Sequence, residues 1–192
     1  MKKVLILLAI LMVGLTSFAQ TDAHLTFKGV PIDGTLDNFV RELVQKDFTL
    51  DKSNDTEAKL HGTFAGYSNC KLEVFTLKQK DLVSSVSVFF TSYKTWEDLY
   101  KVYSDLKELL EEKYGKPTNV ERGFFPADPL NNGVRMSYVI AKQCRYKTDY
   151  KLSKGDINLF ITHDNMYGPV VVLKYSDKLN SGISRAQALE DL

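Results

Sequence analysis

Two stretches of the chain repeat apolar residues at the spacing of one helix face. The first follows Thr35 and carries Leu36, Phe39, Val40, Leu43 and Val44. The second follows Thr95 and places an apolar stripe along residues 99–114, with Gly115 directly after it. Side chains three and four positions apart share a helix face, so both stretches predict amphipathic helices. Thr35 and Thr95 are the expected N-caps, and Gly115 is the expected C-terminal cap.

Each predicted helix is followed by segments in which apolar and polar residues alternate, or in which β-branched and aromatic residues dominate. These segments predict strands over residues 48–52, 58–67, 70–78 and 82–92, and again over 118–125, 134–150, 155–163 and 169–176. Short links between strands require antiparallel pairing. The pattern therefore predicts an α+β fold with a mostly antiparallel sheet. The sheet is built from two helix-plus-four-strand units, and the two amphipathic helices cover one face.

The N-terminus has the three parts of a secretory signal peptide. Lys2 and Lys3 precede an almost wholly apolar run over residues 4–15, and Ser17 and Ala19 are small residues at the cleavage positions. The apolar run is shorter than the roughly 20 residues that a membrane-spanning helix needs. We therefore expect a signal peptide over residues 1–19, cut before Gln20. The mature protein is then periplasmic or secreted and has no membrane span.

The mature chain has the length of one ordinary domain, residues 20–192. Its two similar units would occupy about 24–93 and 94–176, with a short C-terminal tail in which residues 184–192 could form a helix. The full chain has a net charge of +1, and loss of Lys2 and Lys3 with the signal leaves the mature chain slightly acidic. Without a basic excess to bind a phosphate backbone, nucleic acid is not an expected partner.

Several short motifs resemble a pattern in small exported proteins of Bacteroides-type bacteria. They are residues 27–35 followed by a helix and 46–48, the cleavage region 17–20, and residues 113–117 after the long helix. The resemblance implies an exported protein and supplies no catalytic residues. The helix-then-sheet order also looks similar to the repeats of the β-lactamase inhibitor protein and of the small outer-membrane assembly lipoprotein. This chain differs in having one helix per unit and no lipoprotein cysteine.

The two cysteines, Cys70 and Cys144, allow two interpretations. An exported protein can hold such a pair as a disulfide, which would close a long loop. Both residues also lie in predicted strands, where free thiols are commonly buried. The spacing fits neither a zinc ribbon nor a thioredoxin-type motif, so it leaves the choice between disulfide and free thiols open.

The sequence carries no motif for catalysis, a cofactor or a metal. The three histidines are not spaced with other ligands as a metal site requires. His163 and Asp164, at a predicted strand end, are the only catalytic candidates, and no nucleophile motif accompanies them. We therefore expect no cofactor and no metal.

Aromatic residues offer the best binding candidates. The six candidates are Tyr138, Tyr146, Tyr150, Tyr167, Phe124 and Phe125. Exposed tyrosine clusters are typical of surfaces that contact proteins or sugars. The alternative is that these rings fill the core between sheet and helices. The sequence favours a non-catalytic binding or interaction module, with an exported protein or a glycan as ligand. A hydrolase using His163 and Asp164 and a cell-envelope assembly or structural factor are the alternatives.

Overall fold

The computed structural model describes residues 23–77, 80–91, 93–129 and 131–190. The predicted signal peptide lies outside these residues. Within them, no helix is both long enough and apolar enough to cross a membrane.

A short hairpin of β1 (Thr26–Phe27) and β2 (Val30–Pro31) precedes two units of similar layout. The first unit consists of α1 (Leu36–Val44), β3 (Thr49–Ser53), β4 (Glu57–Phe64), β5 (Tyr67–Leu77) and β6 (Lys80–Phe90). The second unit consists of α2 (Trp96–Tyr114), β7 (Asn119–Glu121), α3 (Asn132–Ile140), β8 (Lys147–Lys151), β9 (Gly155–Asp164) and β10 (Gly168–Asp177). The chain continues directly into α4 (Lys178–Glu190).

The eight longer strands form one antiparallel sheet in the order β3-β4-β5-β6-β10-β9-β8-β7. Each unit contributes a run of four neighbouring strands, and the units meet where β6 pairs with β10. In that pairing Val88 lies opposite Leu173, and Val86 lies opposite Tyr175. The predicted fold class is confirmed: the protein is α+β, its main sheet is antiparallel, and helices pack on that sheet.

The predicted helix boundaries follow from their caps. The Thr35 hydroxyl accepts a hydrogen bond from the Asn38 N–H, and the Thr95 hydroxyl accepts one from the Asp98 N–H. Each bond satisfies a backbone donor that has no partner inside the helix. Gly115 ends α2 with a φ of 80°, a left-handed value that glycine adopts without steric cost.

The core lies between the helices and the apolar side of the sheet. Alternate strand residues, such as Leu72, Val88 and Leu159, are fully buried there. The N-terminal hairpin closes the core, because the Phe27 ring stacks on Phe64 at 5.1 Å and meets Tyr175 edge-on at 5.4 Å. Both units therefore share one hydrophobic core.

Three predicted segments were wrong in detail. Residues 134–150 do not form one strand, because Asn131 caps α3 by accepting a hydrogen bond from the Val134 N–H at 3.0 Å, and only β8 is extended. Residues 118–125 contribute only the three-residue β7. The C-terminal helix starts at Lys178, immediately after β10, and not at Ser184.

Candidate functional site

The two units differ most in the link between their first two strands. In the first unit, residues 54–56 join β3 to β4. In the second unit, residues 122–146 join β7 to β8 and include α3; we call this segment the insertion. Four of the six aromatic candidates lie in it: Phe124, Phe125, Tyr138 and Tyr146.

Two extended stretches of the insertion run side by side. Phe124 and Cys144 form an antiparallel bridge, flanked by hydrogen bonds from Phe125 N–H to Gln143 O and from Arg145 N–H to Gly123 O, each 2.9 Å. Successive side chains of an extended chain point to opposite sides. Phe124 is accordingly 8% exposed and Phe125 is 56% exposed. The neighbouring phenylalanines thus have different environments, one inside and one outside.

The inner ring, Phe124, belongs to an aromatic cluster that fixes the insertion to α2. Its ring centroid lies 5.0 Å from Trp96, 5.5 Å from Tyr146 and 5.9 Å from Tyr138. Tyr146 in turn contacts Trp96 edge-on at 5.1 Å. Burial raises the pKa of Tyr146, so its hydroxyl stays protonated well above neutral pH. The cluster packs the insertion against α2 and supports it from the inner side.

Arg135 of α3 lies against this cluster. Its guanidinium is 5.9 Å from both the Trp96 and the Phe124 ring centroids. Its Nη1 donates to the Asn132 side-chain oxygen at 2.7 Å, and the Asn132 amide donates to Glu97 at 2.6 Å. Arg135 Nε is buried without a hydrogen-bond partner among the described residues. An unsatisfied buried donor costs about 1–3 kcal/mol, so this position is not optimised for stability.

A shallow depression of about 430 Å³ opens beside Arg135 between α2 and α3. Its lining includes Trp96, Tyr100, Asn132 and Arg135. Trp96 is only 3% exposed and so offers little ring surface to a ligand. The exposed lining of this depression is nonetheless mainly apolar.

The other side of the insertion is exposed and basic. The Arg145 guanidinium lies 5.2 Å from the Phe125 ring centroid, a cation–π distance. Lys142 is also exposed and precedes the second paired stretch. We call Phe125, Lys142 and Arg145 the outer surface. Arg122 is exposed as well, but it lies two residues before Phe124 and acts on the buried Tyr103, so it belongs to the other side. Phe125 was a candidate from the sequence and the two cations were not, although basic residues outnumber acidic ones within residues 122–146.

The remaining aromatic candidates lie elsewhere. Tyr150 is 1% exposed and packs in the core beside Tyr114. Tyr167 lies in the β9–β10 turn, where its ring meets Phe89 at 4.9 Å and its hydroxyl donates to Glu73 at 3.2 Å. The structure therefore brings Phe124, Tyr138 and Tyr146 together, whereas Tyr150 and Tyr167 are separate from them.

The two cysteines are free thiols in the structure. Cys70 is in β5 and donates to the Tyr67 carbonyl at 3.3 Å, while Cys144 precedes β8. β5 and β8 are four strand positions apart in the sheet, which corresponds to about 19 Å. Burial raises the pKa of each thiol to about 11, so neither is an activated nucleophile.

His163 and Asp164 are neighbours in β9, so their side chains point to opposite faces of the sheet. The Asp164 carboxylate accepts hydrogen bonds from the Met166 and Tyr167 N–H groups, at 2.7 and 2.9 Å, and so holds the β9–β10 turn. This turn role accounts for an aspartate at a strand end without any chemistry.

The structure contains two histidine–carboxylate contacts that no sequence pattern predicted, at His61, whose Nδ1 lies 2.6 Å from Asp51, and at His24. His24 Nδ1 lies 3.1 Å from the fully buried Asp177 carboxylate, and His24 Nε2 lies 3.5 Å from Asp33. Asp177 also accepts hydrogen bonds from the Leu25 and Asn180 N–H groups. Carboxylates therefore lie near both ring nitrogens of His24, Asp177 at hydrogen-bond distance and Asp33 at ion-pair distance. His24 and Asp177 are 153 positions apart in the chain, so no local sequence pattern predicts their contact.

The described residues contain no group of three or more His, Cys, Asp or Glu side chains placed to hold a metal ion. Comparison of the chain with protein-family models, with curated proteins and with solved structures finds no match. The insertion, with its inner cluster and outer surface, is therefore the candidate site on geometric grounds alone.

Proposed function

We propose that this protein is an exported, non-catalytic binding module whose binding surface is the outer surface of the insertion. The observation that carries the proposal is the pairing of Phe125 and Arg145. A phenylalanine that is 56% exposed lies under a guanidinium, one residue from a ring anchored in the core. Aromatic residues and arginine are enriched in protein interfaces and in their energetic centres.

The aromatic cluster packed beneath this surface supports the proposal. The cluster of Trp96, Phe124 and Tyr146 holds the insertion in place before any partner arrives. A surface that is already ordered loses less conformational entropy on binding than a mobile loop does. The buried rings therefore contribute indirectly, by positioning Phe125 and Arg145.

The histidine geometry supports a non-catalytic role. Asp164 is engaged in a turn, and both nitrogens of His24 face carboxylates. Neither arrangement provides a base within reach of a nucleophile. The N-terminal sequence pattern, with its basic start, apolar run and small residues before Gln20, supports export.

Site-specific photo-crosslinking tests the proposed surface. The full chain is produced in exporting cells with p-benzoylphenylalanine in place of Phe125, and envelope and medium fractions are irradiated and separated by mass. The matched control carries the same group in place of Val44 of α1, which is 47% exposed. We expect a discrete higher-mass adduct from position 125 and none from position 44.

Two results would count against the proposal. Equal adduct patterns at positions 125 and 44 would show that crosslinking reflects exposure alone. Absence of any adduct from position 125, in chains that circular dichroism shows to be folded, would remove the outer surface as the binding site.

A further inference from the structure

We infer that the outer surface recognises an acidic protein segment that also carries an aromatic or other apolar side chain. This inference rests on the proposed function, because it names the partner of the same surface. Its evidence is the charge of the insertion and the absence of ion pairs there.

The insertion is basic within a chain that is otherwise balanced. Residues 122–146 contain the four cations Arg122, Arg135, Lys142 and Arg145, and one acidic residue, Asp128. The Asp128 carboxylate accepts a hydrogen bond from the Phe124 N–H at 3.0 Å, so it has a structural role inside the segment. Without residues 1–19 the chain is slightly negative overall, so the positive charge of the insertion is a local excess.

These cations lack acidic partners in the described structure. None of the salt bridges among the described residues involves a cation of the insertion. Elsewhere cations do pair: Lys59 contacts Glu73, Lys107 contacts Glu111, and Lys147 contacts Asp149. The insertion therefore presents positive charge that an acidic partner can neutralise.

The geometry favours carboxylates on a protein over a lipid surface. The Arg145 guanidinium lies over the Phe125 ring, 5.2 Å from its centroid, and a guanidinium can donate two parallel hydrogen bonds to one carboxylate. The exposed part of the Phe125 ring adds apolar contact beside that group. A bilayer surface needs no such pairing of one cation with one ring. An acidic protein segment with one apolar side chain contacts both.

The probe for this inference is a random copolymer of glutamate and tyrosine labelled with a fluorophore. Its binding to the mature chain is measured by fluorescence anisotropy at low and at physiological salt. The test variant carries Lys142→Glu and Arg145→Glu. The control carries Lys46→Glu and Lys52→Glu, two exposed cations of the first unit with the same total charge change.

We expect the test variant to bind the copolymer at least about tenfold more weakly than the control variant does. Equal weakening in both would overturn the inference, because only net charge would matter. A single Arg145→Glu variant, with thermal unfolding as its folding check, should reproduce part of the loss. An unchanged affinity in that variant would also overturn the inference.

Vesicles of phosphatidylglycerol and phosphatidylcholine form the second arm. Tight vesicle binding that the test variant loses, without copolymer binding, would assign the surface to anionic lipid and overturn the inference. The two proposals fail separately. A crosslinked adduct at position 125 without copolymer binding would leave the binding surface standing and reject its acidic partner. Absence of both would reject the binding surface as well.

Discussion

The links β3–β4 and β7–β8 occupy corresponding places in the two units, yet they are built differently. In the first unit the Asn54 side chain accepts hydrogen bonds from the Thr56 and Glu57 N–H groups and closes a tight polar turn. In the second unit the insertion places Phe124 in an aromatic cluster and Phe125 on the surface. The helix and four strands that both units share form what we call the frame of the fold. The candidate binding surface lies in the insertion, which only the second unit has.

The frame itself also differs between the units in its charges. On one row across the sheet, Lys59 of β4 pairs with Glu73. At the corresponding position in β8, Asp149 accepts hydrogen bonds from Asn158 and Lys147. The two units therefore have a similar backbone layout but use different side-chain contacts at corresponding positions.

The largest expected effect concerns whether the units can unfold separately. Leu43 of α1 and Leu99 of α2 are both fully buried. Leu43→Ala and Leu99→Ala should each lower the free energy of unfolding by about 3 kcal/mol, from lost burial and the cavity left behind. Because β6 and β10 join one sheet over one core, we expect a single transition in urea for both variants. Two separate transitions in either variant would contradict the shared core.

A somewhat smaller effect is expected at the junction of the units. Asp177 at the end of β10 accepts the Leu25 and Asn180 N–H groups, and Asn180 donates to the Val83 carbonyl of β6. Asp177→Ala leaves buried donors without acceptors and should cost about 2–3 kcal/mol in thermal or urea unfolding. Asp156→Ala on the neighbouring strand β9 is the control, with a cost below about 0.5 kcal/mol. Equal costs would show that the junction bonds contribute little.

Two buried tyrosines of the second unit allow the contribution of a side-chain hydrogen bond to stability to be separated from that of ring packing. The Tyr103 hydroxyl lies 2.6 Å from the Thr148 hydroxyl, and both residues are buried. The Tyr150 hydroxyl donates only weakly, at 3.5 Å, to the Lys107 carbonyl. Tyr103→Phe should therefore cost about 1–2 kcal/mol, and Tyr150→Phe less than about 0.5 kcal/mol, in urea unfolding. The reverse order would mean that the Tyr103 bond is not formed.

The smallest expected effect is on acid stability in the second unit. Burial opposes ionisation of Asp149, but hydrogen bonds from Lys147, Asn158 and Asn119 outweigh it and lower the pKa of this carboxyl. Its stabilising contribution is then present above the unfolded pKa near 4 and is lost as pH falls through the lower folded value. Asp149→Asn should cost up to about 1 kcal/mol at pH 6 and less at pH 3. A cost that does not shrink in acid would contradict this assignment.

The sequence predicted the frame well because the frame is local in origin. Helix caps at Thr35 and Thr95 and the alternation of apolar and polar residues in β9 depend on residues a few positions apart. The insertion was harder to predict because α3 contains valine, tyrosine and isoleucine, which are common in strands. The contacts of Trp96 with Phe124 and of His24 with Asp177 join distant residues, so no local pattern indicates them.

Hydrogen–deuterium exchange of residues 20–192, with and without the glutamate–tyrosine copolymer, tests most directly that binding belongs to the insertion. Amides in peptides covering residues 122–146 are compared with those covering residues 49–64, which contain the corresponding link of the first unit. The account predicts that the copolymer slows exchange in residues 122–146 and leaves 49–64 unchanged. Slower exchange in residues 49–64, or in neither segment, would contradict it.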